Sequence, residues 1–322
     1  MQVFTQSREQ FNAFIFHLMH SQEVIAPVEE DVVRFKRISK PAEISLKKQA
    51  WFPAKEFFFK KKQTMFLYIG NEIHEPRQEH TSRIFFGLRK CDLNAIHKQD
   101  NVYMHDVHDP YYIAARENAT LIGYHCETPP SEYCFCGSMD LKDYHDLMYY
   151  ERGDHFLVEV GSEKGHDLVK KHPKYFDKYH RALTQAERTI KGADRLKRKD
   201  IKTLYNSPDW EKGVSQCLSC GACTTLCPTC YCFEIHDEPD TDNIKKGKRE
   251  RSWSSCMLQE FTRVAGNHIF RKERDERFKH RIYHQLQYYK EKYGEDLCVG
   301  CGRCITGCPT RIDFVKMINE MP

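Results

Sequence analysis

Fifteen cysteines in one chain, spaced as they are here, point to thiolate chemistry on metal. Eight fall in two runs, Cys217-Leu-Ser-Cys220-Gly-Ala-Cys223-Thr-Thr-Leu-Cys227-Pro228 and Cys298-Val-Gly-Cys301-Gly-Arg-Cys304-Ile-Thr-Gly-Cys308-Pro309. Both read C-x2-C-x2-C-x3-C-P, a spacing that suits two [4Fe-4S] cubanes. Three close cysteines wrap one side of a cubane, and the N–H groups between them point at its sulfurs. The fourth departs on a proline-directed turn and reaches the other cluster. Cys217, Cys220, Cys223 and Cys308 are therefore expected on one cluster, and Cys298, Cys301, Cys304 and Cys227 on the other. Gly221 and Gly302 follow the second cysteine of each run, where a side chain would crowd the cluster. Zinc sites use paired C-x2-4-C knuckles instead of two complete quartets that each end in proline.

Seven cysteines remain. Cys91, Cys126, Cys134 and Cys136 stand in an otherwise cysteine-free stretch of the N-terminal half. The C-x-C pair on a turn can place two thiolates on one metal or cluster, so a third iron–sulfur cluster is expected there and taken as [4Fe-4S], although the spacing itself sets no nuclearity, with zinc or plain structural cysteines as the alternatives. Cys230, Cys232 and Cys256 are one thiol short of a cubane. They either line the buried shell around the clusters or ligate metal with a non-cysteine partner such as His236, Asp237 or His268. Asp92, Asp106, Asp109 and Arg116 are read chiefly as helix caps and turn holders, the alternative being a gate for electron entry. No catalytic side-chain constellation, G-x-G-x-x-G or Walker sequence is present.

Elements must hold these thiols in place. SREQFNAFIFHLMH reads as a helix and VVRFKRI as a strand. IFFGL reads as a buried strand that turns into a helix at Cys91, and ATLIGYHC and DHFLVEVG as further strands. The fold class is thus α+β, with a mixed α/β domain over 1–180 and a helical connector over 181–212, its helical stretch beginning around YFDKYHRALTQAER. A mainly helical two-cluster domain follows over 213–322. Within it SCMLQEFTRVAGNHIF and DERFKHRIYHQLQYYKEKYG are long enough for helices, the first beginning at Cys256. In the second, Phe278, Ile282, Leu286 and Tyr289 form one apolar face, and Gly294 is a stop.

The 322 residues are 40% hydrophobic and 30% charged with a formal net charge of +4, which fits a globular chain. Basic runs at 60–62 and 192–200 lack interleaved aromatics or a finger motif, so no nucleic-acid partner is expected. No apolar stretch approaches the ~20 residues of a membrane span. The start lacks the pattern of a secretory signal, so a cytoplasmic location is expected.

CLSCGACTTLCPTCYCFEI, RSWSSCMLQEFTRVAGNHIFR and CVGCGRCITGCP resemble the dicluster-ferredoxin family. That family includes the beta (electron-transfer) subunits of cytoplasmic sulfhydrogenases, which are nickel–iron hydrogenases coupled to nicotinamide cofactors. It also includes the electron-transfer component of anaerobic sulfite reductase. GLRKCDLNAI, DPYYIAAR and CFC-G match the same family, so the resemblance spans nearly the whole chain. It implies a non-catalytic redox subunit. Such a chain relays single electrons between a partner that binds flavin and NAD(P) and the small and large subunits of a nickel–iron hydrogenase. The subunits of a sirohaem sulfite reductase are the alternative partners. A reductase of sulfur compounds acting in its own right is the competing class.

Overall fold

The computed structural model describes residues 2–76 and 81–322. β1 (Val3–Ser7) runs into α1 (Arg8–Met19) through a capping box, Gln10 N–H donating to Ser7 Oγ at 3.1 Å and Ser7 N–H to Gln10 Oε1 at 2.8 Å. Then come β2 (Glu23–Glu29), β3 (Val33–Arg37), β4 (Lys62–Ile69), β5 (Glu72–His74) and β6 (Arg83–Leu88). α2 (Lys90–Asp100), α3 (Pro110–Glu117), β7 (Ala119–Tyr124), β8 (Leu147–Arg152), β9 (His155–Val160), α4 (Glu163–Lys171) and β10 (Asp177–Lys178) follow.

All of these strands except β4 and β5 belong to one sheet, ordered β10-β1-β9-β8-β7-β6-β2-β3. Its centre is parallel, β2 beside β6, β6 beside β7 and β7 beside β8, which is why β6 and β7 read as nearly unbroken apolar runs. Successive residues feed opposite faces. Ile84 and Phe86 join Phe11, Phe14 and Phe156 under α1, while Phe85 and Leu88 join Leu93, Tyr112 and Met148 on the other side. That second core also takes in Tyr289 and Leu297, so the sheet packs directly on the cysteine-rich half.

The C-terminal half is mainly helical, with one exception. β11 (Phe233–Pro239) and β12 (Lys246–Trp253) form a hairpin between the two cysteine runs, and β12 pairs with β4 to make a four-stranded sheet ordered β11-β12-β4-β5. The boundaries set by composition at 180 and 213 are thus crossed by backbone pairing. Two expected helices are corrected. Residues 256–270 form turns at Glu260–Thr262 and Ala265–Asn267, so Cys256 starts no helix. The connector holds only short turns such as Gln185–Arg188 and Ile201–Leu204, because its charged residues lack an apolar stripe to bury.

The long helix forms as expected. Arg274–Tyr283 continues through a π turn at His284–Tyr288 and ends after Tyr293 at Gly294, φ 77°. Phe278, Ile282, Leu286 and Tyr289 are all buried. The π turn aims Gln285 at the cysteines, its Oε1 3.1 Å from Thr229 Oγ1.

α2 is tied to the second cysteine run through Glu295, which accepts from Lys98 at 3.0 Å and lies 3.5 Å from His97. Burial pushes the Glu295 carboxyl up, but the bonds from His97 and Lys98 outweigh it and hold it at about 2. A carboxyl held low in the folded state stabilises above its unfolded value, 4.5 for a glutamate, and that contribution is lost as pH falls toward about 2. Glu295→Gln should therefore lower the denaturation midpoint at pH 7 and flatten its fall between pH 4.5 and the acid limit. An unchanged acid profile in the variant would remove Glu295 from the account.

Candidate metal centres

The two cysteine runs adopt one backbone design twice. Ser219 and Gly300 are left-handed (φ 52° and 64°), as are Gly221 and Gly302 (φ 77° and 72°). These turns aim Ser219 N–H at Cys217 Sγ and Gly300 N–H at Cys298 Sγ, both at 3.4 Å. One-turn helices follow at Ala222–Thr225 and Arg303–Thr306. Each fourth cysteine is followed by Pro-Thr, and the threonine hydroxyl meets the thiol: Thr229 Oγ1 lies 3.2 Å from Cys227 Sγ and Thr310 Oγ1 3.4 Å from Cys308 Sγ.

All eight cysteines line one cavity of about 80 Å³, together with Phe135, Met257, Phe278 and Ile282. Burial pushes Cys298 up to about 12, and the Cys227 thiol beside it adds to the shift. Burial also raises Cys301 and Cys304, again with Cys227 among the neighbours that raise them. Cys227 thus lies near the second run, and it also acts on Cys223 of its own.

The donor set fits an anionic cluster. Arg281 is buried here, its Nη2 donating to Cys223 O at 3.1 Å, and its Nε has no protein partner. Among the described residues it pairs with no carboxylate. A buried guanidinium left like this costs several kcal/mol (~3–5) unless an anion faces it. Thiolate-bound sulfide clusters supply such an anion, and with it one-electron chemistry.

The four N-terminal cysteines converge on the second run. Cys91 opens α2, Cys126 lies two residues beyond β7, and Cys134 and Cys136 flank Phe135 on a turn. Burial raises Cys136 to about 12, with Cys134, Cys126 and Cys301 adding to it. Burial raises Cys91 too, and Cys301 and Cys136 are among its neighbours. The turn docks through Phe135 N–H to Gly300 O at 2.7 Å. A Cβ on Gly300 would lie 2.6 Å from the Cys136 backbone, and one on Gly302 2.6 Å from the Tyr133 carbonyl, so glycine is needed twice for this approach. Arg89 Nη1 donates to Cys126 Sγ at 3.4 Å, and Cys126 also lines a groove at the carboxyl ends of β6 and β7 with Tyr124 and His125.

Cys230, Cys232 and Cys256 lie on the other flank, beside the first run. Their loosely matched partners are engaged elsewhere: Asp237 holds Arg249 at 2.7 Å, His236 lies 3.3 Å from Glu238, and exposed His268 meets Phe270 edge to face. His236, Glu238 and Glu250 come together on the small sheet, but Lys62 and Lys248 already bridge their carboxylates. Asp92 and Asp109 cap α2 and α3.

Sequence reading missed the buried cations Lys55, Arg281 and Arg303, and the two threonines. The repeated Cys-Pro-Thr was a usable signal for the threonines. The cations gave none: Lys55 and Arg281 sit among other charges that resemble a solvated face, and Arg303 stands alone inside the second cysteine run.

Residues 216–312 match the 4Fe-4S dicluster domain family. Over 332 aligned positions the chain is 34% identical to Sulfhydrogenase 2 subunit beta of Pyrococcus furiosus, covering 97% of this chain and 96% of that protein.

Proposed function

The chain belongs to the family of the sulfhydrogenase beta subunit, whose C-terminal region is a 4Fe-4S dicluster domain, and from that premise we propose how it relays single electrons. It is an iron–sulfur electron-transfer subunit with two clusters of the 4Fe-4S type, a redox component and not the catalytic enzyme itself. Cys217, Cys220, Cys223 and Cys308 hold one cluster, and Cys298, Cys301, Cys304 and Cys227 the other. Cys91, Cys126, Cys134 and Cys136 hold a third [4Fe-4S] cluster beside the second. The partners are a flavin/NAD(P)-binding protein at one end and the small and large subunits of a nickel–iron hydrogenase at the other, and the assembly is cytoplasmic.

The observation that carries this reading is the continuity of the thiol sets. One cavity joins both quartets, and Cys301 packs with Cys91 in a small cluster of its own. The order along the path is first quartet, second quartet, N-terminal set. At the outer end Cys220 and Leu218 are exposed, Leu218 by 65%, which leaves the first quartet within reach of a docked redox partner.

The test is anaerobic purification of the native complex, with iron and labile-sulfide counts for wild type and for C126S/C134S. The double variant should lose about four irons per chain, while a nickel–iron large subunit still co-purifies. Unchanged iron would remove the third cluster, and a sirohaem protein in place of the hydrogenase would overturn the partner assignment.

A further inference from the structure

Lys55 is 4% exposed and sits far upstream of the thiols it faces. Its Nζ donates to Cys230 O at 3.0 Å and to Thr224 O at 3.3 Å, and lies 4.2 Å above the Trp253 ring. An ammonium carries three N–H donors, so one remains after the two carbonyls. Among the described residues no carboxylate pairs with it; burial works against its charge and lowers its pKa, Cys230, Cys227 and Cys232 favour the charge, and Arg281 opposes it. A second buried cation so near Arg281 is a repulsive arrangement. It persists in a folded protein only where further negative charge is supplied.

Arg281 faces Cys230 and, in the two quartets, Cys227, Cys223 and Cys304. Lys55 lies on the flank formed by Cys230-Tyr-Cys232 and by Cys256, so both cations face Cys230. Cys230 and Cys256 are buried, and Ser254 N–H donates to Cys232 O at 2.9 Å, continuing the β11–β12 ladder so that Cys256 returns beside Cys232. The Cys232 thiol lies beside Cys256, and the Cys230 thiol beside Cys227. Between Lys55, Cys230 and Cys232 lies a cavity of about 130 Å³ that is also lined by Thr224, Thr225, Ser255 and, from the first quartet, Cys220.

We propose that Cys230, Cys232 and Cys256 hold a further iron–sulfur centre, distinct from the two quartets and from the N-terminal set, with Lys55 as its buried counter-cation. The centre has three cysteine ligands, and its remaining iron faces the small cavity, where a hydroxyl or a water completes it. Zinc suits the place less well. Structural zinc closes its shell with four protein ligands, the further thiol at the cavity, Cys220, is taken by the first quartet, and an ammonium beside a dication repels it. Sulfide bridges bring the negative charge that Lys55 lacks.

The proposal rests on the chain being an iron–sulfur protein, but its test separates from that reading. The purified complex carrying C230S/C232S/C256S should lose about four irons with matching sulfide, while the electron-paramagnetic signals of the two quartets persist. Unchanged iron with three thiols that titrate as free, or as one disulfide, overturns the site. Loss of zinc at constant iron overturns its iron–sulfur nature. Should the triple variant fail to assemble, Lys55→Met keeps every thiol. Losing the cation should shift the midpoint potential of one centre to more negative values, leave the others in place, and be reversed by Lys55→Arg. No centre shifting in Lys55→Met overturns the proposal.

Discussion

Replacing Cys301 with alanine is expected to remove the second cluster and stop electron transfer between the two ends of the chain. The residue is 7% exposed and stands between the second quartet and the N-terminal set. It stands with Cys298 and Cys304 around Cys227, and it packs with Cys91, Ala95 and Val299 against the N-terminal set. Cys134 Sγ also approaches the Cys301 carbonyl at 3.6 Å. Changing groups that merely support a metal ligand costs roughly 10–100-fold in metal affinity or activity, so losing the ligand itself should exceed that. The expected readings are a loss of about four irons per chain and transfer reduced by more than about a hundredfold. Cys220→Ala differs in a useful way. That cysteine is exposed and borders the first cluster, so its loss should strip iron there while the second and N-terminal centres stay reducible by a small diffusible donor. If Cys301→Ala kept normal transfer with iron missing, the proposed order of centres would be wrong.

The thiols were the legible part of this chain because spacing alone constrains them. Two runs of the same cysteine spacing, each ending in proline, tell where a cluster sits before any fold is known, and the left-handed turns at Gly221 and Gly302 follow from the same pattern. The parallel strands were legible for a related reason: IFFGL and ATLIGY are buried on both faces and read as unbroken apolar runs. The hairpin of β11 and β12 was hidden, since KGKRERSW has charges at most positions and pairs with β4, a strand from the other half of the chain. A pairing of that separation leaves no local trace. Residues 256–270 went wrong for the opposite reason. Their apolar residues have helical spacing, yet Phe270 and Val264 stay exposed and the backbone is held by turns near the thiols. Lys55 was invisible because a lysine beside a phenylalanine run looks like any solvated face; only its two carbonyl partners, Thr224 and Cys230, reveal its role.

Arg303 makes the second large effect. It is the residue between Gly302 and Cys304, 3% exposed, and its guanidinium reaches from the second run to α2. Its Nη1 lies 2.7 Å from Asp92 Oδ1 while its Nε donates to Ala50 O at 2.8 Å. Asp92 is 2% exposed and serves twice, because its other oxygen accepts from Arg89 N–H at 3.2 Å and caps α2. Desolvation works against the Arg303 charge, but Asp92, then Cys301 and Cys91, hold it firmly protonated. Asp92→Asn keeps the cap and the volume and removes only the charge. Taking one partner from a buried pair costs about 3–5 kcal/mol, whereas replacing both by apolar groups is often nearly neutral. The expected pattern is therefore a marked loss of stability in Asp92→Asn, read as faster unfolding and iron release in denaturant, and substantial recovery in D92N/R303M. The competing possibility is that the thiolate-bound clusters beside Cys301 and Cys91 alone compensate Arg303. In that case Asp92→Asn would be mild, Arg303→Met would be the damaging change, and the double variant would show no recovery. The cycle thus decides whether Arg303 belongs first to the helix that carries Cys91 or to the electron path beside it.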